Sequence, residues 1–435
     1  MELHFIKTFA LTATFALAFV SQGKSETLPV PDDCRIIDSI CYKFDASTKK
    51  ALVSTYITVP AYRGKPYNEY FEYNGRNLII PSTITIDSDE YTVVGFDNPF
   101  RNEMWTERID TVDIPSTITD IPVLLFRNVM IKSVILHEGL KTIGTGAFKN
   151  QKGLTEIELP EGLEIIGYEA FMASGLKAIR LPNSLMQLGW NIFCDCQDLE
   201  EAVLPEGILE IPAGLFCRSS ITSIILPAGV QKICSGAFSG SKLQSIEFPE
   251  SLREIESDAF SGTPLSSVIF NDGVETIDWR AFSGMNGEGL TITLPYNLKT
   301  IGQEAFLNSQ VKEVIIQKNV QSIGEDAFKG CPIEKVISLI EQPRYSPLPF
   351  QAFDDNVFLY KPLFVPTGLV DEYRRVIYWN KFYDIFEMDM SPLDRVTTDD
   401  GTQRYYTIDG KELAAPEKGL FIIQKDGKSQ KILKK

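Results

Sequence analysis

A solenoid of stacked coils, each carrying a short parallel strand, is the fold this sequence predicts, and three observations predict it. The phrase apolar-x-x-Ile/Val-x-Leu/Phe-Pro-x-x-Leu/Val-x-x-Ile-Gly-x-x-Ala-Phe is written again and again, most clearly as LTEIELPEGLEIIGYEAF at 154–171. Its closing phenylalanine recurs at Phe126, Phe148, Phe171, Phe193, Phe216, Phe238, Phe260, Phe282, Phe306 and Phe328, at intervals of 22 to 24 residues. The leucine-like positions flank a short strand-like segment, and a fixed period in the range of roughly 20–29 residues with that pattern is the signature of an α/β leucine-rich repeat solenoid. Such a chain buries each coil against its neighbours and offers a long surface to a partner.

The elements follow in order. Residues 1–23 carry Lys7, the apolar stretch Phe9 to Val20 and the small residues Ser21 and Gly23. A basic start, a core too short to span a bilayer and a small-residue cleavage site predict an export signal cut after about Gly23. No cysteine follows closely, the nearest being Cys34, which disfavours a lipid-anchored lipoprotein. Residues 24–105 hold β-branched runs such as ALVSTYITV and RNLIIPSTITID between Gly, Pro, Asn and Asp, so short antiparallel strands are expected there. A solenoid leaves an open sheet edge at each end, and this β-rich region is the expected N-terminal cap.

The array of about ten coils is expected over 106–337. Ile157 and Leu159 point to one side of a strand because side chains alternate with period two. Pro160, with counterparts at Pro115, Pro182, Pro205, Pro227, Pro249 and Pro295, has no N–H to donate and suits the strand's end. Gly162, with Gly139, Gly207, Gly229 and Gly273, is placed for a tight turn. The Ala-Phe pair is expected to plug the far side of each coil on a single helical or 3₁₀ turn. Past Ser338 the period is lost. Tyr373, Tyr378, Trp379, Phe382 and Phe386 fall at helical spacing, which predicts an amphipathic helical C-terminal cap over 338–390. Residues 391–435, with RYYTIDGKEL, GLFIIQKDG and KSQKILKK, predict a small separate β module with Asp-Gly turns at Asp409-Gly410 and Asp426-Gly427.

Charge and residue chemistry narrow the function. Lys and Arg total 42 against 58 Asp and Glu, a net charge of −16 spread along the chain, which argues against nucleic acid as a partner. After the signal no segment is apolar for the roughly 18 residues a transmembrane helix needs. Only His4 and His137 exist, so a mature chain has a single imidazole, and His137 stands where other coils have the strand-ending Pro. A Ser–His or Cys–His couple therefore lacks a base. No phosphate loop, dinucleotide fingerprint or calcium loop is present. The Asp and Glu side chains lie at variable repeat positions, where solvated charge belongs. No catalytic residue, cofactor or metal is expected.

Seven cysteines leave an odd one. Cys34 and Cys41 flank a short turn. Cys194 and Cys217 each follow the repeat Phe by one residue, which stacks them about 5 Å apart in consecutive coils. A disulfide fits that span, and the alternative is that these cysteines serve as small buried apolar groups. Cys196 and Cys331 fall three residues after the Phe and are expected to point inward. The spacings match no zinc site.

The residue between the two core positions of each strand should face water. In chain order it is Asp113, Ile135, Glu158, Arg180, Val203, Ile225, Glu247, Ile269, Thr293 and Ile315, and five of these ten are large and apolar. Ile135, Glu158, Arg180, Val203, Ile225, Glu247, Ile269 and Ile315 are the expected partner-binding lane. The competing explanation is that β-branched residues simply favour strands. A glycan-binding alternative rests on Tyr56, Tyr62, Tyr67, Tyr70, Phe71 and Tyr73 near the N-terminus and on Trp190 and Trp279 in the array.

The phrases LPEGLEIIGYEAF (159–171) and LPYNLKTIGQEAF (294–306) look like the BspA-like class of bacterial leucine-rich repeats, and FVPTG (364–368) followed by Tyr373, Trp379 and Phe382 is similar to the ending of such arrays. The resemblance implies an exported or surface protein of adhesin type that binds host matrix proteins or other cells; the expected partner is a host or microbial surface protein, and the protein itself is expected to be a monomer. The tail, with YYTIDGKEL (405–413) and KGLFIIQKDGK (418–428), resembles the sorting domains of the type IX secretion route.

Overall fold

A computed structural model describes residues 33–38, 40–54, 77–97, 108–127, 130–287, 290–345, 349 and 351–388, together with the backbone of four strands between 404 and 434. The expected signal at 1–23 lies outside the described residues. The chain forms two compact units, one of residues 1–176 with 184–189, the other of residues 177–183 with 190–435. Both are built from parallel β-solenoid coils with very little helix.

In the first unit a sheet formed by Cys34–Ile37, Ile40–Asp45, Lys50–Ser54, Asp89–Phe96 and Thr83–Ile86 is antiparallel except where Lys50–Ser54 runs parallel to Asp89–Phe96. Cys34 lies opposite Lys43 and Cys41 opposite Ile36, so the two cysteines stand two residues apart along that ladder. Asn77–Ile79 already pairs in parallel with Arg108–Ile114, which pairs with Met130–Leu136, so solenoid pairing begins inside the region expected as cap.

The strand that the sequence announces is absent over 154–160 and 221–227, against the expectation for Ile157 and Leu159, and the coils are held together by more than that strand. A second parallel ladder of two-residue strands forms just before each Ile-Gly step. In the first unit it joins Asp120–Ile121, Thr142–Ile143, Ile165–Ile166 and Gln187–Leu188. In the second it runs from Glu210–Ile211 to Ser322–Ile323 in six strands. A third line of hydrogen bonds runs along the Ala-Phe corner, where the Phe148 N–H donates to the Ala170 carbonyl and the Phe238 N–H to the Ala259 carbonyl, both at 2.8 Å. The phenylalanine rings are buried behind this corner and stack coil on coil. Centroid spacings are 5.3 Å from Phe126 through Phe148 to Phe171 in the first unit and 5.1–5.8 Å from Phe193 to Phe353 in the second. Parallel offset rings at such spacing gain dispersion beyond their area burial.

The corner is neither an α nor a 3₁₀ turn, which corrects the expectation from sequence. Two residues before each of the ten repeat phenylalanines the backbone is left-handed, with φ between 52° at Arg280 and 63° at Gly236. Two residues after the Phe it is left-handed again at every described position, as at Asn150, Asp195, Arg218, Gly240 and Gly330. A left-handed residue on either side ends any right-handed helix, and a non-glycine residue held there costs about 1–2 kcal/mol. Buried groups repair the corner's carbonyls: the Cys331 thiol donates to the Phe306 carbonyl at 3.0 Å and the Ser309 hydroxyl to that of Phe282 at 2.6 Å. Cys196 and Cys331 are buried, as their spacing implied.

The Ile-Gly glycine has a steric cause. A Cβ at Gly167 would lie 2.5 Å from the Thr145 nitrogen, and one at Gly302 would lie 2.4 Å from the Asp278 carbonyl carbon. Of the glycines placed for tight turns, Gly139 and Gly162 are left-handed, whereas Gly207, Gly229 and Gly273 are not.

Parallel pairing also outlasts the legible repeat. Val311–Ile316 pairs with Lys335–Ser338, and this strand pairs with Leu363–Pro366 and then Ile385–Met388. The C-terminal cap is not one amphipathic helix. The helix over Val370–Arg375 is six residues long, Tyr378 at φ 70° interrupts the run, and a 3₁₀ turn at Trp379–Lys381 follows. The aromatic residues still cap the coils: Tyr373, Trp379 and Phe382 are buried, and the Tyr373 hydroxyl donates to the Ile340 carbonyl at 2.7 Å. The tail is a four-stranded antiparallel sheet in which Lys425 lies opposite Lys428; the expected turns at Asp409-Gly410 and Asp426-Gly427 lie outside the described residues.

Two substitutions test this account. Phe238→Ala is expected to lower stability by about 3–5 kcal/mol through lost burial and the cavity left in the column. Gly167→Ala is expected to lower it by about 1–3 kcal/mol through overpacking against a backbone that cannot move aside. Urea unfolding followed by circular dichroism measures both.

Candidate functional site: the strand-bearing face

The strand side chains that alternate away from the coil interior form the lane predicted as the binding surface. In the first unit Ile79, Asp113 and Ile135 stand in register across three parallel strands. Ile79 and Ile135 are 62% and 43% exposed, and the exposed His137 holds Asp113 with a 2.7 Å hydrogen bond through Nε2. His137 thus sits on the rim of this lane, at the end of its strand, and Glu158 is exposed at the equivalent position of a later coil.

In the second unit Arg180 is exposed opposite the half-exposed Val203. Ile225, at the equivalent position of the next coil, is 89% exposed. Glu247 is exposed opposite the half-buried Ile269. Thr293 then lies opposite Ile315, Ile315 opposite Ile337, Ile337 opposite Phe364, and Phe364 opposite Phe386. Ile315 is only 2% exposed, and Ile337 is buried as well. The expectation that Ile315 faces water is therefore corrected: it occupies the lane, but between Ile337 and Thr293 it belongs to a filled apolar row and offers no accessible side chain.

The structure adds Ile79 to the first unit's lane and Ile337, Phe364 and Phe386 to the second unit's. Ile337 follows Ile315 by 22 residues and Phe386 follows Phe364 by 22, so the period was there to be counted even though the motif around it had decayed. The apolar row contrasts with the surface at and just before the second ladder, where several side chains are charged and paired between coils. Lys141 meets Glu164 at 2.8 Å, Lys232 meets Glu256 at 2.5 Å and Glu254 at 3.3 Å, and Lys299 meets Glu275 at 2.6 Å. Those surface pairs satisfy one another, and the exposed Lys299–Glu275 pair contributes on the order of 0–1 kcal/mol.

Of the aromatics considered for stacking sugars, Trp190 is 61% and Trp279 39% exposed, and the Arg280 guanidinium lies 5.2 Å from the Trp279 ring centre. The N-terminal tyrosines and Phe71 lie outside the described residues. Among the described residues no group of three or more His, Cys, Asp or Glu side chains is arranged to hold a metal ion. No helix among them is long and apolar enough to cross a membrane.

The repeat also matches a family model, that of the BspA type leucine rich repeat region in six copies, over residues 100–221 and 209–335, together 236 of the 435 residues. The chain belongs to the BspA type leucine-rich repeat family. Among solved structures it is similar to a leucine-rich repeat protein from Bacteroides ovatus, at 22% identity and a TM-score of 0.54, over 82% of this chain and all of that one. It is also similar to a leucine rich cell surface protein from Faecalibacterium prausnitzii, at 19% identity and a TM-score of 0.45, over 71% and 89% of the two chains. At these identities the likeness is one of fold. No curated protein matches the sequence.

The two ends of the apolar row should respond differently to charge. Ile225→Asp is expected to change stability by no more than about 0.5 kcal/mol, as at an ordinary surface site. Ile315→Asp buries an unpaired carboxylate and is expected to cost more than about 4 kcal/mol or to prevent folding of its coils. Thermal melts of the two variants decide whether the burial assigned along the lane is correct.

Proposed function

We propose that this is an exported, non-catalytic binding protein of adhesin type that captures a host or microbial surface protein on the strand-bearing face. The observation that carries the reading is the exposure of Val203 and Ile225 at equivalent positions of consecutive coils, between the charged Arg180 and Glu247. An apolar centre with a charged rim is the composition of a protein-recognition patch, and large apolar side chains left in water mark such surfaces. Family membership supports a repeat protein that works by binding. Residues 1–23 serve as the export signal in this reading, the 391–435 sheet as a sorting module of the type IX kind, and the mature protein is a monomer at the cell surface, associated with the outer membrane or released.

A second reading follows from the exposure of Trp190 and Trp279. Indole faces in water stack on sugar rings, so a polysaccharide would bind beside the second ladder instead of on the strand face.

One screen separates the two. The chain from about Lys24 onward is tested against immobilised matrix proteins and a glycan array, beside the variants Ile225→Asp with Ile269→Asp and Trp190→Ala with Trp279→Ala. Protein capture that falls by about 30-fold or more in the isoleucine pair, the equivalent of about 2 kcal/mol, supports the strand face. Glycan binding lost only with the tryptophans replaces that reading with the second.

A further inference from the structure

Outside the strand face, one cluster in the second unit unites a nucleophile, a second thiol and a fixed cation. Cys194 and Cys217 each follow a stacked phenylalanine of consecutive coils, and the Phe193 and Phe216 rings stand 5.8 Å apart. The Asp195 N–H donates to the Cys217 carbonyl at 2.8 Å, which locks the two coils in register at this point. Asp195 and Arg218, the next residues, are the left-handed positions of their corners, at φ 62° and 52°. That backbone turns both side chains back over the sulfurs. The Arg218 guanidinium lies 3.3 Å from Cys217 Sγ through Nη1 and 3.4 Å from Cys194 Sγ through Nη2. Its Nε and Nη2 meet the two Asp195 carboxylate oxygens at 2.5 and 2.7 Å, so the cation is held in place by a bidentate pair.

The two thiols are not equivalent. Cys194 is buried, whereas Cys217 is partly open to solvent. We propose that Cys194 and Cys217 form a thiol–disulfide exchange site, in which Cys217 attacks a small-molecule or protein disulfide and Cys194 resolves the adduct into a cross-link between the two coils. In the first step the Cys217 thiolate bonds to one sulfur of the incoming disulfide, whose S–S bond breaks and releases one thiolate. In the second, Cys194 gives up its proton and attacks Cys217 Sγ, breaking the mixed disulfide and releasing the second thiolate. Both leaving thiolates take up protons, so two protein thiols are oxidised, one external disulfide is reduced to two thiols, and the oxidant is the external disulfide alone.

The electrostatics agree with that division of labour. A hydrogen bond from the Cys194 thiol and the charge of Arg218 bring Cys217 down to about 7, against burial and the Asp195 carboxylate, which oppose the shift. Cys194 is pushed up by its hydrogen bond with Cys217 and by burial. The first proton lost by the pair therefore leaves near neutral pH, and the Arg218 guanidinium over both sulfurs favours the charge that remains. Arg218 and Asp195 are the charged groups that face these sulfurs. The neighbouring coil presents Ser239 and Gly240 to Arg218 and adds no charge. Cys331, buried and hydrogen-bonded to a carbonyl, is pushed up to about 12 by burial, and Cys234, also pushed up to about 12 by burial, lies beside Glu210. Neither shares the cation, so the same chain carries its own controls.

The test uses the whole chain, reduced, freed of reductant and exposed to oxidised glutathione at pH 7. Proteolysis before Asp195 separates Cys194 from Cys196, which allows the bonded pair to be identified by mass. The expected product is a Cys194–Cys217 disulfide with the loss of two hydrogens and no retained glutathione. Protein that leaves purification already carrying this bond is reduced first, and the same exchange is then followed. Cys194→Ser is expected to stall with glutathione on Cys217, and Cys217→Ser to leave Cys194 unmodified. In the unaltered protein, alkylation of Cys217 by iodoacetamide is expected to show a midpoint near pH 7 and to run about threefold faster at that pH than for an ordinary thiol, the gain in thiolate being partly offset by its lower nucleophilicity. Arg218→Gln should move that midpoint up and Arg218→Lys should largely restore it. Glutathione on Cys194 in Cys217→Ser at the original rate, a bond to Cys196 or Cys234 instead, or a Cys217 midpoint at the ordinary value of about 8.5 overturns the proposal.

Discussion

Every coil in this protein must sit one backbone hydrogen bond from the next, and most of the structure follows from that spacing. A ladder fixes the rise between coils near 4.8 Å, and side chains at equivalent positions are stacked whether or not they attract one another. Phenylalanine tolerates this, since its rings lie 5.1–5.8 Å apart along the second unit's column with nearly parallel planes. Glycine is demanded for the same reason at the Ile-Gly step, where the preceding coil's backbone leaves no room for a Cβ at Gly167 or Gly302. The left-handed residues on both sides of each phenylalanine are the cost of turning the chain sharply enough to close a coil of 22 residues. Several coils accept Glu, Arg or Asn there in place of glycine.

The same stacking sorts the surface into functions. Beside the second ladder some equivalent positions in successive coils carry opposite charges and neutralise one another, as Lys232 does with Glu254. On the strand-bearing face, equivalent positions carry isoleucine, valine and aromatic residues. Where such residues are contiguous, from Ile315 through Ile337, they cover each other. Where charged residues interrupt them, around Val203 and Ile225, they remain in water and the apolar surface is available to a partner. Stacking also explains how two cysteines that are 23 residues apart (217 − 194) come to share one guanidinium: identical offsets from the phenylalanine place them on one lane.

The period, the core positions and the outward lane were legible in the sequence because a solenoid repeats its environment, so a residue's place in the motif predicts its burial. The second ladder was less legible. It consists of two residues per coil, too short for alternation to register, and the hydrogen bonds that define it depend on the neighbouring coil. The continuation of the row into Ile337, Phe364 and Phe386 was hidden by the decay of the surrounding motif, although the 22-residue spacings of Ile315–Ile337 and Phe364–Phe386 persisted.

Sequence by itself determined the coil, its inward residues and the place of the Ala-Phe corner, since each is a property of residue type and spacing. Tertiary structure alone decided which outward residues meet water. It buried Ile315 and exposed Ile225, two isoleucines at the same motif position, because burial on that face depends on what the adjacent coils carry. It also decided the handedness of the corners, which no residue preference announces when Glu, Arg and Leu stand in left-handed positions. That handedness, in turn, swings Asp195 and Arg218 over Cys194 and Cys217.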